Sequence, residues 1–333
     1  MKIIIDAMGG DHAPLEIIKG AALAIEEFDV QLILVGDEQK INKEIEENNL
    51  SKRNMEIIHT DKVLTMEDDP ISVVKAKKDS SMGICFKIIA DDKENKINAM
   101  VSAGNSGALL TGSTLLVKRI NDIKRAAIAV VLPYEKKTLL IDAGANLDIK
   151  AEYLKQFGFM GSIYMKKIFG IDAPTVGLAN NGAEKIKGTP EHVEAYRLLS
   201  ETKTINFVGN IEGRDITMKC SDVLVTDGFT GNMILKLTEG FGIYMINKLK
   251  TMFLKDFFTK VSSVLLKDSL RDFKRSFDHS EYGGAPLLGI RKPVIKAHGS
   301  ANAKTIKNAI RQAKFCVETK LTEEIELQNR INK

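Results

Sequence analysis

The sequence predicts an α/β protein with a largely parallel, doubly wound sheet. Two observations predict it: short β-rich runs alternate with helical patterns, and several of those runs empty into loops made of Gly, Asn, Asp and Ser. In chain order, residues 2–5 open into DAMGGDHAP at 6–14, and two further runs follow at 31–35 and 56–59. The run 99–102 opens into SAGNSGAL at 102–109. Runs 127–132 and 139–141, joined by a short link, precede DAGAN at 142–146. The runs 175–179, 206–208 and 223–226 lead into NNGAEKIKGT at 180–189, GNIEGRD at 209–215 and DGFTGN at 227–232. A chain of 333 residues buries a large core without a staple, as one large α/β domain or two smaller ones. The reading adopted is a single domain over 1–333, with an amphipathic helical segment protruding at about 240–280.

Composition excludes several classes. Cys85, Cys220 and Cys316 are an odd, scattered set with no CxxC pair, which argues against a disulfide framework and a zinc site, so no metal is expected. The apolar run at the N-terminus is too short for a signal peptide, and the expected compartment is the cytoplasm. With 48 basic against 44 acidic residues the balance gives no sign of nucleic-acid binding. The uncharged stretch 97–117 carries Asn98, Ser102, Asn105, Ser106 and Thr111, and so reads as strand, polar loop and helix rather than a membrane span. No GxGxxG follows the first run and no GxxxxGK[ST] loop occurs, so no nucleotide cofactor is expected.

Open α/β sheets bind ligands beyond the carboxyl ends of their strands, where glycine lets the backbone approach and the next helix offers free N–H groups. One Gly-Asn-Asp loop is equally a good turn; four of one design imply a shared anion site. Its candidate residues are Asp6, Gly9, Gly10 and Asp11; Ser102, Gly104, Asn105 and Ser106; Asn146; and Asp227, Thr230, Gly231 and Asn232. Of five histidines, His12 and His298 lie in glycine-containing loops, the latter in KAHGSA with Lys296 and Ser300. Lys187 stands beside Gly188, and Arg214 follows Glu212, either one a possible anion contact or a solvated surface charge.

Together with YGGAPLLG at 282–289 and KAHGSA at 296–301, these loops look like the ordered motif set of the acyl-ACP:phosphate acyltransferases, the PlsX family, over residues 1 to about 315. The resemblance implies a three-layer α/β/α fold related to phosphotransacetylases and isocitrate-dehydrogenase-like enzymes, and a homodimer. It also implies transfer of a long-chain acyl group from acyl carrier protein to inorganic phosphate, giving acyl phosphate for phospholipid synthesis. Within that chemistry Lys187, Lys296 and the glycine-rich backbones are expected to hold phosphate. His12 and Asn105 would face the oxyanion, and His298 would pass a proton to the departing thiolate. Alternatives are a phosphotransacetylase on short acyl-CoA, a non-catalytic carrier-protein scaffold, and a dehydrogenase.

From 244 to 277 apolar residues recur at helical spacing, including Leu249, Phe253, Phe257, Val261, Leu265, Leu270, Phe273 and Phe277, with Leu254 and Phe258 beside them. Basic residues outnumber acidic ones there. The segment fits an anionic lipid surface or a helical-pair dimer seam, with Leu254, Phe257 and Phe258 as membrane-facing candidates. Peripheral membrane attachment, beside a membrane glycerol-phosphate acyltransferase that takes the product, is the expectation.

Overall fold

The structure, a computed structural model, describes all residues except 95, 135–136, 219–220, 260–261, 263–265, 277–282 and 332–333. Strand β1 (Lys2–Asp6) forms because three consecutive β-branched residues suit a pleated surface. Ile3 and Ile5 enter the core on one face and Ile4 the core on the other, the period-two alternation of a strand covered on both sides. The other strands are β2 (Gln31–Gly36), β3 (Met55–His59), β4 (Ala99–Ser102), β5 (Ala127–Leu132) and β6 (Thr138–Ile141). They continue with β7 (Thr175–Asn180), β8 (Asn206–Glu212), β9 (Val223–Val225), β10 (Ala285–Leu288) and β11 (Val294–Lys296). All eleven join one sheet in the order β3-β2-β1-β4-β11-β10-β5-β6-β9-β7-β8.

Helices cover both faces. One layer holds α1 (Leu15–Glu27), α2 (Glu38–Glu47), α5 (Ala151–Phe169), α6 (Pro190–Glu201), α9 (Ala303–Glu318) and α10 (Leu321–Ile331). The other holds α3 (Ser81–Asp91), α4 (Ser106–Gly112) and the start of α7 (Gly228–Phe253). This is the three-layer α/β/α arrangement that the resemblance implies. Every strand run read from the sequence is a strand. β10 and β11 were not among them: at four and three residues, bounded by Gly and Pro, they read as loop.

Most neighbours are parallel, but β11–β10, β10–β5 and β5–β6 are antiparallel. Three reversals are an odd number. Strands β6, β9, β7 and β8 therefore run opposite to β1, β2, β3, β4 and β11, but the register staggers the two sets, so that Ile141 at the end of β6 stands about level with Ile295 near the end of β11.

The apolar pattern expected to run unbroken from 244 to 277 is divided. Helix α7 stops at Phe253, and α8 occupies Lys267–Ser276. Between them Asp256 and Thr259 cap each other, Thr259 N donating to Asp256 Oδ1 at 2.9 Å and Asp256 N to Thr259 Oγ1 at 3.0 Å, which starts a new turn. Lys260, Val261, Leu265, Phe277, His279 and Tyr282, like Cys220, lie outside the described residues. Cys85 and Cys316 are buried thiols, Cys316 pushed up to about 12 by desolvation, which removes it as a nucleophile. Among the described residues no helix is long and apolar enough to cross a membrane.

Candidate active site

At one end of the sheet the loops after β1, β4 and β11 meet. The buried carboxylate of Asp6 accepts from Ser102 Oγ at 2.8 Å and from Met8 N at 3.3 Å, and Ser102 Oγ accepts from Gly104 N at 3.0 Å. That chain joins the first loop to the second. Burial pushes the Asp6 carboxyl above its ordinary range, while bonds from Ser81, Ser102 and the Met8 and Gly9 amides pull it back. The third loop joins through Asp11 N, which donates to Gly299 O at 2.8 Å. Gly10 takes φ +107° beside it, where a Cβ would stand 3.0 Å from Gly299 O, so only glycine fits the junction.

A cluster of cations faces this junction. Lys296 ends β11, half-buried, and among the described residues its ammonium has no hydrogen-bond or ion-pair partner. Burial and the Lys236 ammonium lower its pKa, against a smaller opposing pull from Glu239. His298, two residues on, sets Nδ1 2.9 Å from Ser300 Oγ and Nε2 3.4 Å from Lys236 Nζ. Burial first, then Lys236 and Lys296, hold the imidazole below its ordinary value of 6.5, with Glu239 and Asp11 opposing. Lys236 also pairs with Glu239 at 2.7 Å. Two ammonium groups and a neutral imidazole around an open junction make a site for an oxyanion. His12 is exposed one residue beyond Asp11 on the same loop.

The loops after β6 and β9 meet at the start of α7, one helical turn before Lys236. Asp142, fully buried at the end of β6, accepts from Ile128 N, Gly144 N, Ala145 N, Asn146 N and Asn146 Nδ2 at 2.7–3.2 Å. Asn146 Nδ2 also donates to Ala126 O at 2.8 Å. Asp227 caps α7 by accepting from Thr230 N at 2.8 Å. Gly228 N donates to Asn146 O at 2.7 Å, and Asn232 and Thr230 are exposed on the first turn. Gly231 is buried against the Asp142 backbone, with no room for a Cβ. Lys187 follows β7, its carbonyl bound by Asn180 Nδ2 at 3.0 Å.

The placement corrects several expectations. Helix α7 links the two loop sets within the chain, with Asn232 beside Gly144 and Lys236, one turn on, 3.4 Å from His298. Lys187 lies in the loop after β7, a strand five spacings from β11, about 24 Å laterally at ~4.8 Å each, and among the described contacts none joins it to Lys296. Asn105 does not face an oxyanion. Its amide nitrogen donates to the carbonyls of Thr65, Met66 and Asp68 at 3.0–3.4 Å, roofing the junction with that loop, while its oxygen caps α4 at Ala108 N. Asp6, Ser102, Gly104, Asn146 and Asp227 are likewise committed to holding loops, and buried carboxylates repel an anion. Ser300 serves His298. Ser106 is exposed at the start of α4, and Arg214 is paired with Glu212 at 2.9 Å. Lys236 and Glu239 were missed: they stand in LKLTEG, one helical turn apart and one turn after Asn232, a spacing that places all three along one face of α7.

A family model described as "Fatty acid synthesis protein" matches residues 1–324. The phosphate acyltransferase of Alkaliphilus oremlandii is 47% identical over 326 residues, covering 98% of this chain and 96% of that one. That of Thermoanaerobacterium thermosaccharolyticum is 43% identical over 319 residues, 96% and 93% of the two chains. A phosphotransacetylase structure from Streptococcus pyogenes superposes with a TM-score of 0.63 at 16% identity over 97% of this chain and 94% of that one, a likeness of fold.

Proposed function

Since the chain belongs to the fatty-acid-synthesis-protein family, the PlsX phosphate acyltransferases, and so is an acyltransferase with phosphate as a substrate, we propose that it takes a long-chain fatty acyl group from acyl carrier protein and that Lys296 receives the phosphate. The observation that carries the site assignment is the half-buried, unpartnered ammonium of Lys296 beside Lys236 and His298. A half-buried cation with no direct ion-pair partner is costly, and a dianion offsets that cost.

Phosphate is already an oxyanion and a thiolate is a good leaving group, so no covalent enzyme intermediate is required. A hydrogen phosphate oxygen bonds to the thioester carbonyl carbon, the C–S bond breaks, and the P–OH proton ends on sulfur. His298, neutral in the resting site, suits the transfer: it takes that proton and returns it to the thiolate. The test is palmitoyl-carrier protein with labelled phosphate, reading acyl phosphate, beside an acetyl-CoA arm. The fold likeness to a phosphotransacetylase favours the short-chain reading, and faster turnover of acetyl-CoA would replace the long-chain one.

Helix α7 supports two further parts of the proposal. Phe229, Met233, Leu237, Phe241 and Tyr244 are all exposed and spaced four, four, four and three residues apart, one apolar stripe suited to a second copy of the chain. Packing two such helices against each other buries this stripe in a homodimer. Leu237→Glu is expected to yield monomers in sedimentation analysis; an unchanged dimer sinks the assignment. Further along, Leu254, Phe257 and Phe258 are 52, 74 and 81% exposed, among lysines 248, 250 and 255. We assign them to reversible contact with anionic lipid, where a membrane glycerol-phosphate acyltransferase can receive the product. Each nearby Lys adds about 1 kcal/mol of attraction. Replacing Leu254 and Phe258 with Glu should abolish co-sedimentation with phosphatidylglycerol vesicles and leave soluble acyl transfer in place; a variant that still sediments rules the contact out.

A further inference from the structure

Nothing so far gives Lys236 a purpose beyond adding charge, yet its geometry is particular. Its ammonium has only donors, and it lies 3.4 Å from Nε2 of His298, so Nε2 presents its lone pair there. The ring proton is then on Nδ1, which donates to Ser300 Oγ at 2.9 Å. The Ser300 amide also approaches Nδ1, at 3.3 Å, but a bare Nδ1 would put Nε2–H against the ammonium, donor facing donor. The Ser300 amide bond at 3.3 Å favours a bare Nδ1, and the full charge of Lys236 at Nε2 outweighs that one long contact, with the Ser300 hydroxyl able to accept from Nδ1–H. In the empty site the single lone pair by which His298 takes a proton is therefore covered.

The cover is weakly held. A 3.4 Å approach is at the long limit of a hydrogen bond, and Lys236 is shared with Glu239 at 2.7 Å. A phosphate dianion entering beside Lys296 offers the ammonium charge-assisted bonds roughly twice as strong as neutral ones. We propose that Lys236 is a positioning residue that masks Nε2 of His298 while the site is empty and uncovers it by turning to bound phosphate. The inference rests on the reading that Lys296 receives phosphate. Every charged group facing the imidazole fits the arrangement: Lys236 and Glu239 from α7, Lys296 from β11 and Asp11 from the loop after β1.

Masking has a chemical consequence. A bare imidazole beside a bound thioester takes a proton from water, whose oxygen bonds to the carbonyl carbon; the C–S bond breaks, the proton passes to sulfur, and the products are free fatty acid and thiol. With Nε2 covered until phosphate arrives, the thioester is spent on acyl transfer alone.

The experiment uses the full-length protein with palmitoyl-carrier protein. Wild type is expected to hydrolyse the thioester negligibly without phosphate. Lys236→Met is expected to hydrolyse it at least tenfold faster, to need at least tenfold more phosphate for half-maximal acyl transfer, and to show a higher His298 pKa by NMR, because one of its neighbouring positive charges is gone. Lys236→Arg, which keeps a cationic donor, should restore the low hydrolysis. In wild type, added phosphate should shift the Nε2 resonance. Equal phosphate-free hydrolysis and equal His298 titration in wild type and Lys236→Met, both folded by circular dichroism and the wild type active in acyl transfer, overturn the inference and leave the function standing. A wild type that forms no acyl phosphate overturns both.

Discussion

Lys296→Met is expected to lower kcat/KM for phosphate roughly 10- to 150-fold, the effect of removing one contact worth about 1.5–3 kcal/mol to a charged group. Methionine keeps the apolar stem in its packing and deletes only the ammonium, so the fold should be unaffected. If Lys296 binds phosphate equally in the ground and transition states, the loss falls on KM alone; a loss shared by kcat means its contact strengthens as charge moves toward the carbonyl. Initial rates across phosphate concentrations at saturating acyl thioester separate the two. Unchanged phosphate kinetics would remove Lys296 from the site. Lys187→Met belongs in the same assay: an equal loss there means that the loop after β7 also contacts the phosphate.

The second large effect concerns stability. Asp142→Ala should destabilise the protein by about 4 kcal/mol, because it strips five donors, three of them in buried bonds, of their shared acceptor, and each buried donor left orphaned costs about 1–3 kcal/mol. Ile128 N, on the neighbouring strand β5, has no other way to reach solvent. Burial raises the Asp142 carboxyl above its ordinary range while its donors pull the other way. In a carboxylic acid whose folded pKa lies above its unfolded one, stability is greatest below the unfolded value and falls as pH rises toward the folded value. Asp142→Asn, which keeps one acceptor oxygen, should retain about half of the lost free energy. Urea midpoints at constant slope measure both; a shift of under about 1 kcal/mol for the alanine variant would show the loop to be held by something else.

Much of this was legible in the sequence. Ile3, Ile4 and Ile5 announce a strand buried on both faces, and the Gly-Asn-Asp loops after it announce themselves because left-handed and close-packed backbone selects few residue types. What those loops do was less legible. DAGAN reads as an anion cradle, but its aspartate is turned inward to collect the amides of its own loop, and a sequence does not say which way a carboxylate turns. One clue to the strand reversals was present: the link 133–137 between β5 and β6 is too short for a parallel crossover, so that pair had to be antiparallel. The other two reversals were hidden because β10 and β11 are short and bracketed by Gly and Pro. Lys236 was hidden for a different reason, since a lysine on a long helix is ordinarily solvated and only the rotation of α7 about its axis decides what it meets.

The position of β10 and β11 also bears on how the chain comes to be folded. Residues 285–296 are inserted between β4 and β5, near the middle of the sheet, although nearly nine-tenths of the chain has been synthesised before they are complete. Until they arrive, β4 and β5 are open edges with unpaired N–H and C=O groups, and the two partial sheets have no backbone bond between them. Such late, long-range pairing is slow and leaves the intermediate open to aggregation. Lys296 and His298 travel with this last insertion, so an unfinished or partly folded chain has neither the ammonium nor the imidazole in place. Growing chains on the ribosome are thereby unable to consume acyl thioesters before the sheet has closed.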